Sequence, residues 1–342
     1  MCRTSSSDRS VSLTTDSYSR KSQLENWLKS IDGFDLVDVR PASADASFRR
    51  YFRVTDRCSG QTFIVMDAPP DKEDCRPFIH ITKLLRNANV NAPAIISTDL
   101  DRGLLLLADL GDRQYLDYLD EDSSNRLYSD ALAALVNMQG IQGHLPDYNR
   151  ARLQDEMGLF EPWYLNEHLK VELDSQQKSV LAEIFDLLID SALQQPKVFV
   201  HRDYHSRNLM LVDEHNPGVI DYQDAVIGPL TYDLVSLFKD CYIEWPRDRI
   251  ETWLDEYLSR TLVDIPVERA QFIRWFDLMG VQRHLKVLGI FARLNYRDGK
   301  SQYLNDLPLT LKYVVDTSSR YQELSPLLNL LEKKVLNHPN AQ

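Results

Sequence analysis

Several absences narrow the class of this chain before any motif is read. Its four cysteines, Cys2, Cys58, Cys75 and Cys241, are scattered with no C-x-x-C pair; that points to neither a zinc site nor a disulfide framework and fits reduced thiols in a cytosol. No stretch approaches the roughly 18 consecutive apolar residues of a membrane span. The N-terminus has no apolar leader, so the expectation is a cytoplasmic protein with no membrane partner. Positive charge is in deficit: 39 Lys and Arg against 51 Asp and Glu leave a net −12, which argues against a nucleic-acid partner. No internal repeat and no obligate protein partner is evident. What is present is globular in character, with 43% hydrophobic and 10% aromatic residues. A chain of 342 residues has room for two or three domains or one two-lobed enzyme.

The most informative stretch runs from Val198 to Val212 and is answered by Val219-Ile220-Asp221. Two apolar, β-branched runs flank a polar loop, and a third follows the turn His215-Asn216-Pro217-Gly218, so the expected order is strand, loop, strand, turn, strand. His201-Arg202-Asp203 with Asn208 spells out the H-R-D-x-x-x-x-N catalytic-loop pattern of protein kinases, and Asp221 follows where a second metal-binding Asp is wanted. Phosphoryl transfer asks a protein mainly for positioning and charge stabilisation. Asp203 is therefore the candidate base, while Asn208 and Asp221 offer the hard oxygen ligands that Mg²⁺ prefers. A lone Asp at a strand end is an ordinary turn residue; four such residues at this spacing are not. The rival arrangement, His201, Asp203 and His205 as ligands of a dinuclear hydrolase, leaves Asn208 and Asp221 without a shared role.

Around this loop the chain reads as an α+β, two-lobed, protein-kinase-like fold. Residues 1–21 form a Ser/Thr-rich tail expected to be disordered. Residues 22–110 form an N-lobe, opened by a helix at the capping-box pattern Ser22-x-x-Glu25 and continuing as a five-stranded antiparallel sheet with one helix around Phe78, Ile81 and Leu85. Residues 111–342 form a mainly helical C-lobe carrying the catalytic loop and the acceptor site. The loop 41–47, where a kinase covers the nucleotide phosphates, has no glycine; Ser47, Arg49, Arg50 and Arg53 are candidate phosphate contacts, or simply solvated positions on an alternating strand. The third strand, Phe63 to Asp67, lacks the lysine of V-A-I-K. Leu104 to Ala108 is a buried strand in the place of a hinge, with Leu107, Asp109 and Leu110 as candidate backbone contacts to adenine. Further on, Glu156 and Trp163 suit a sugar by hydroxyl acceptance and ring stacking, although an aromatic stripe on a helix is more often core. After a long buried helix, Arg293 to Lys300 is expected as a polar loop with Arg293 facing substrate; His205 and Asp224 complete the candidate acceptor residues.

With these residues in view, the chain resembles the aminoglycoside phosphotransferase and choline kinase superfamily over about residues 23 to 335. The segments Ile220 to Ala225, Gly228 to Leu237, Met66 to Pro70 and Arg293 to Lys300 look closest to the bacterial anomeric N-acetylmuramate/N-acetylglucosamine kinases. That resemblance implies ATP- and Mg²⁺-dependent phosphorylation of the C1 hydroxyl of an amino sugar, supplying sugar 1-phosphates to peptidoglycan recycling. It also implies that Asp203 takes the hydroxyl proton, that Asn208 and Asp221 hold magnesium, and that Asp233 braces the loop, of which His201 is expected from the motif to be a structural member. The missing lysine looks shared with that subgroup. Alternatives are a kinase for another small molecule such as an aminoglycoside or choline, and a nucleotide-binding pseudokinase.

Overall fold

The computed structural model describes residues 20–44 and 49–341. The expected tail up to residue 19 and Ser47 lie outside the described residues. Two compact units divide the chain, Met1–Lys83 with Ala92–Gly111 and Leu84–Asn91 with Asp112–Gln342.

The first unit is a five-stranded antiparallel sheet of order β1-β2-β3-β5-β4, built from β1 (Leu36–Ala44), β2 (Arg50–Asp56), β3 (Thr62–Asp67), β4 (Ile95–Asp99) and β5 (Leu104–Ala108). Helix α1, residues 20–29, lays Leu24, Trp27 and Leu28 at i, i+3, i+4 spacing onto Val54, Val65, Leu104 and Leu106. Arg20 and Lys21, expected in the tail, are already helical, so Ser22 sits inside the helix rather than capping it. All four leucines of β5 are buried; alternation sends Leu105 and Leu107 to the face opposite α1. β1 extends to Ala44 instead of ending at Val39, taking the first residues of the expected phosphate loop into the sheet. It is an edge strand with an irregular register between Pro41 and Ser43, and such a position tolerates a proline that a central strand would not. Helix α2 (Arg76–Asn87) straddles the division between the units.

The second unit is mainly helical: α3 (Ser124–Gln139), α4 (Arg150–Met157), α5 (Ser175–Leu193), α6 (Tyr232–Phe238), α7 (Arg247–Arg260), α8 (Arg269–Asp298), α9 (Leu307–Ser318) and α10 (Ser325–Lys334), with a π-helical segment at Phe160–His168. At its centre α8 runs for 30 residues, buries most of its length and packs against α5, α6, α9 and the π-helical segment. Arg293 to Asp298 belong to this helix and not to a polar loop; the chain turns only at Gly299, whose φ of 70° provides the left-handed cap that glycine adopts without penalty. Four short strands frame the stretch from His201 to Asp221. β6 (Lys197–Val200) pairs with β9 (Val226–Pro229), and β7 (Leu209–Met210) pairs with β8 (Gly218–Val219). β9 escapes a periodicity reading because Gly228 and Pro229 look like turn residues. The glycine is there for space: a Cβ on it would lie 2.9 Å from the Tyr148 Cβ. Among the described residues no helix is long and apolar enough to cross a membrane.

Candidate active site

β6 is buried through Val198, Phe199 and Val200, so it carries the chain out of the core and delivers His201 to Asn208 at its end. His201 is fully buried and both ring nitrogens have backbone partners: Nε2 lies 3.0 Å from the Ile220 carbonyl, and Nδ1 lies 3.3 Å from the Asp203 amide, which donates to it. These partners assign the neutral tautomer with the proton on Nε2. Burial, the largest influence, lowers the pKa of the ring to about 4 and keeps it neutral. His201 is thereby a strut between the loop and Ile220-Asp221, and the dinuclear hydrolase arrangement loses a ligand.

Arg202 takes a φ of 78°, a left-handed conformation that costs a non-glycine residue roughly 1–2 kcal/mol. Asp233, at the start of α6, holds the turn with its carboxylate, accepting from the His201 amide at 2.7 Å and the Arg202 amide at 3.0 Å. Burial pushes the Asp233 carboxyl up to about 7 against the pull of these two donors. Asp240 braces the far half of the loop in the same way, accepting from the Ser206 amide at 3.0 Å and from its hydroxyl. Tyr204 donates its hydroxyl to the Ala131 carbonyl of α3 at 2.8 Å. Three anchors thus fix eight residues, which is the preorganisation a positioning catalyst needs.

Asp203 is half-buried and lines a pocket with His205, Tyr232, Tyr242, Arg283 and Lys286. Burial by itself would raise its carboxyl pKa; Lys286 first, then His205, Arg202 and Arg283, outweigh that and hold it below the usual carboxylate value. Asp203 is therefore an ionised acceptor at neutral pH. Asn208 donates its side-chain amide to the Asp203 carbonyl at 3.0 Å and to Asp221 Oδ2 at 3.4 Å, so its Oδ1 is the atom turned away from both. Asp221 adopts a φ of 63°, tolerated by Asp, and accepts from Gln223 Nε2 at 2.8 Å. One amide oxygen beside one carboxylate fits Mg²⁺, which needs only one or two protein oxygens when phosphates and water complete its shell.

Three charged residues of this site were not foreseen: Asp240, Arg283 and Lys286. The last two face the pocket from α8, three residues apart and almost wholly buried, at 4% and 6% exposure. Their signal was available in Gln282-Arg283-His284-Leu285-Lys286, a charged stretch inside a helix read as buried, where lone charges are rare. Glu156 lies against the same cluster, pairing with Arg202 and with Lys286 at 3.2 Å and accepting from the Tyr148 hydroxyl. Its carboxylate ties the two cations that flank Asp203 and is not an open acceptor for a sugar hydroxyl. Of the other expected acceptor residues, His205 does line the pocket, with its Nδ1 buried and unpartnered. Trp163 is half-buried on the π-helical segment, Asp224 is exposed and offers its carbonyl to Arg202 at 3.4 Å, and Arg293 lies farther along α8; none of the three is in the pocket wall.

The expected nucleotide residues belong to the first unit. Arg49 pairs with Glu73 at 3.4 Å, Arg50 with Asp67, and Arg53 holds Asp109 through both oxygens at 2.6 and 3.0 Å. Leu107 is buried opposite Ile64, and the β3–β5 ladder ends at Ala108, so Asp109 and Leu110 lie just past it.

Known proteins resemble this chain over most of its length. A protein of Pseudomonas aeruginosa is 46% identical over 327 residues, covering 91% of this chain and 96% of its own. One of Pseudomonas putida is 49% identical over 295 residues, covering 85% and 86%. Both bear the name N-acetylmuramate/N-acetylglucosamine kinase. Among solved structures, the choline kinase LicA of Streptococcus pneumoniae aligns with a TM-score of 0.61 at 14% identity, over 86% of this chain and 99% of that one. The aminoglycoside phosphotransferase APH(2'')-Ib aligns at 0.57 and 14%, over 86% and 97%. At that identity the likeness speaks for the protein-kinase-like fold alone. Residues 38–272 match the model of the phosphotransferase enzyme family, and the chain belongs to that family.

Proposed function

We propose that this protein transfers the γ-phosphoryl group of ATP to the anomeric C1 hydroxyl of N-acetylmuramate and N-acetylglucosamine, supplying sugar 1-phosphates to peptidoglycan recycling in the cytoplasm. The observation that carries the choice of acceptor is the 46–49% identity, over most of the chain, to kinases named for these two sugars. The pocket favours the same reading over a cationic acceptor such as choline or an aminoglycoside, because Arg283 and Lys286 line it beside Asp203 and would repel a positive charge.

In this reading the ionised Asp203 carboxylate accepts a hydrogen bond from the C1 hydroxyl and aims its oxygen at the γ-phosphorus. As the new O–P bond forms, the proton passes to Asp203 and the bond to the bridging oxygen breaks, releasing ADP. The low proton affinity of Asp203 suits a transition state in which the hydroxyl proton leaves late and orientation matters more than base strength. Asn208 Oδ1 and the Asp221 carboxylate would hold Mg²⁺, which neutralises phosphate charge when bound. The nucleotide contacts remain proposals on the first unit: backbone groups at Leu107, Asp109 and Leu110 for adenine, and Ser47, Arg49 and Arg50 for phosphate.

The test is ATP turnover over a panel of N-acetylmuramate, N-acetylglucosamine, kanamycin and choline, with the phosphorylated position read by NMR. Phosphate at C1 of the two sugars is expected, and Asp203→Asn should lower turnover by about 10² to 10⁴. Turnover only with kanamycin or choline would reject the acceptor, and near-normal turnover by Asp203→Asn would remove Asp203 from the proton transfer. Nucleotide binding with no transfer to any acceptor would indicate a pseudokinase.

A further inference from the structure

Arg283 is a buried cation in search of an anion. It is 4% exposed, sits in the wall of the Asp203 pocket, and its one hydrogen bond among the described residues goes from Nη1 to the Cys241 thiol at 3.8 Å. A guanidinium carries five N–H donors in a planar fork, and a thiol is a weak acceptor for one of them. No carboxylate among the described residues forms an ion pair with Arg283, although Asp203 and Asp240 are near enough to act on its charge. Its neighbour on the same face of α8 is different: Lys286 is paired with Glu156 and bonded to the Tyr232 hydroxyl at 2.9 Å. The buried charge left without a protein counterion is thus Arg283 alone of the two. Burying a cation this way is costly unless a ligand completes it.

Resting on the kinase reading above, we infer that Arg283 binds the carboxylate of the acceptor and is the residue that distinguishes N-acetylmuramate from N-acetylglucosamine. The two sugars share the C1 hydroxyl and the acetamido group and differ by the lactyl ether, which brings one negative charge. The wall continues along α8 from Arg283 through Lys286 to Val287, Ile290 and Phe291, so a cationic end passes into an apolar one within two turns. An acceptor with a carboxylate and methyl groups matches that order. His205, whose buried Nδ1 lacks a partner, adds a polar atom to the same wall. A bidentate pair between the Arg283 fork and a carboxylate would satisfy the donors that the protein leaves open.

The experiment compares kcat/KM for both sugars at saturating Mg-ATP in the wild type, Arg283→Met and Arg283→Lys, and adds the neutral carboxamide of N-acetylmuramate as a third acceptor. Loss of a buried charged contact should lower N-acetylmuramate kcat/KM by about 100-fold in Arg283→Met, chiefly through KM, with a much smaller decline for N-acetylglucosamine. The ratio between the sugars should fall by at least about tenfold and recover in part in Arg283→Lys. In the wild type the carboxamide should be used far less well than the acid, and Arg283→Met should not discriminate between them; the wild-type comparison stands even if the variant fails to fold. Equal losses for both sugars, or a carboxamide as good as the acid, would overturn the assignment of Arg283 while leaving the kinase reading intact. Failure of the wild type to phosphorylate either sugar would overturn that reading instead.

Discussion

Lys286 is the strongest of the positive neighbours that hold the Asp203 carboxyl below its ordinary 3.8, and it does so through space from helix α8 to the loop after β6. In the proposed reaction only the ionised carboxylate can receive the hydroxyl proton, so activity should be lost as pH falls through the pKa of Asp203, giving an acid limb in kcat/KM. Replacing Lys286 with Met removes the cation and leaves Glu156 still paired with Arg202. The limb should then move to higher pH, because the neutral form of Asp203 is less disfavoured. A pH profile whose acid limb is unmoved in Lys286→Met would show that the lysine does not tune the base. This residue also marks where sequence reading stopped. Asp203, Asn208 and Asp221 were legible as candidates because they sit in short polar segments at a fixed spacing, whereas Asp233 entered only through the resemblance; in the structure the Asn208 amide bridges the Asp203 carbonyl and the Asp221 carboxylate. Arg283 and Lys286 reach the same pocket from about 80 residues later in the chain. Nothing in local spacing relates a helix interior to a distant loop; only packing does.

Packing at the scale of elements turns on how closely α8 is approached. A Cβ placed on Gly289 would lie 2.5 Å from the Leu159 carbonyl carbon and 2.6 Å from its oxygen, both main-chain atoms at the entrance to the π-helical segment. Glycine in a helix interior costs up to about 1 kcal/mol relative to alanine, so its presence here reflects contact rather than helix propensity. Gly289→Ala should therefore destabilise the protein by about 1–3 kcal/mol despite its better propensity, because the clash is with backbone that cannot rotate away. A chemical-denaturation midpoint unchanged or raised in Gly289→Ala would show that the two segments separate freely. The same close packing explains which elements periodicity disclosed. Leu24, Trp27 and Leu28 announce α1, and the four leucines of β5 announce a central strand, because one side-chain pattern meets one buried face. β9 did not announce itself, since its glycine answers Tyr148 on a neighbouring segment. The end of α8 was misplaced for a related reason: Arg293 to Asp298 are polar by composition, yet backbone hydrogen bonding continues to a glycine cap that composition alone does not locate.

At the scale of the whole molecule, a net charge of −12 coexists with a pocket carboxylate, Asp203, whose neighbours include the cations Lys286, Arg202 and Arg283. Global charge governs solubility and nonspecific encounters, while local arrangement governs what binds. Binding then feeds back on the whole fold, since any ligand that prefers the folded chain stabilises it by RT ln(1 + [L]/Kd), about 2.7 kcal/mol at a hundredfold excess over Kd. For a chain of this size that corresponds to a rise of a few degrees in the thermal midpoint. Mg-ATP should produce this rise in the wild type and equally in Asp203→Asn, because in the proposed reaction that carboxylate handles the acceptor proton and not the nucleotide. Removing magnesium with EDTA should shrink it. Asp221→Ala should shrink it at the same Mg-ATP concentration and recover part of it at high magnesium, since a weakened metal site is refilled by mass action. Thermal unfolding of the three proteins, with and without EDTA, separates the two aspartates without any measurement of turnover. A full shift in Asp221→Ala would exclude Asp221 as a metal ligand, and a lost shift in Asp203→Asn would mean that Asp203 supports the nucleotide site and not the acceptor alone.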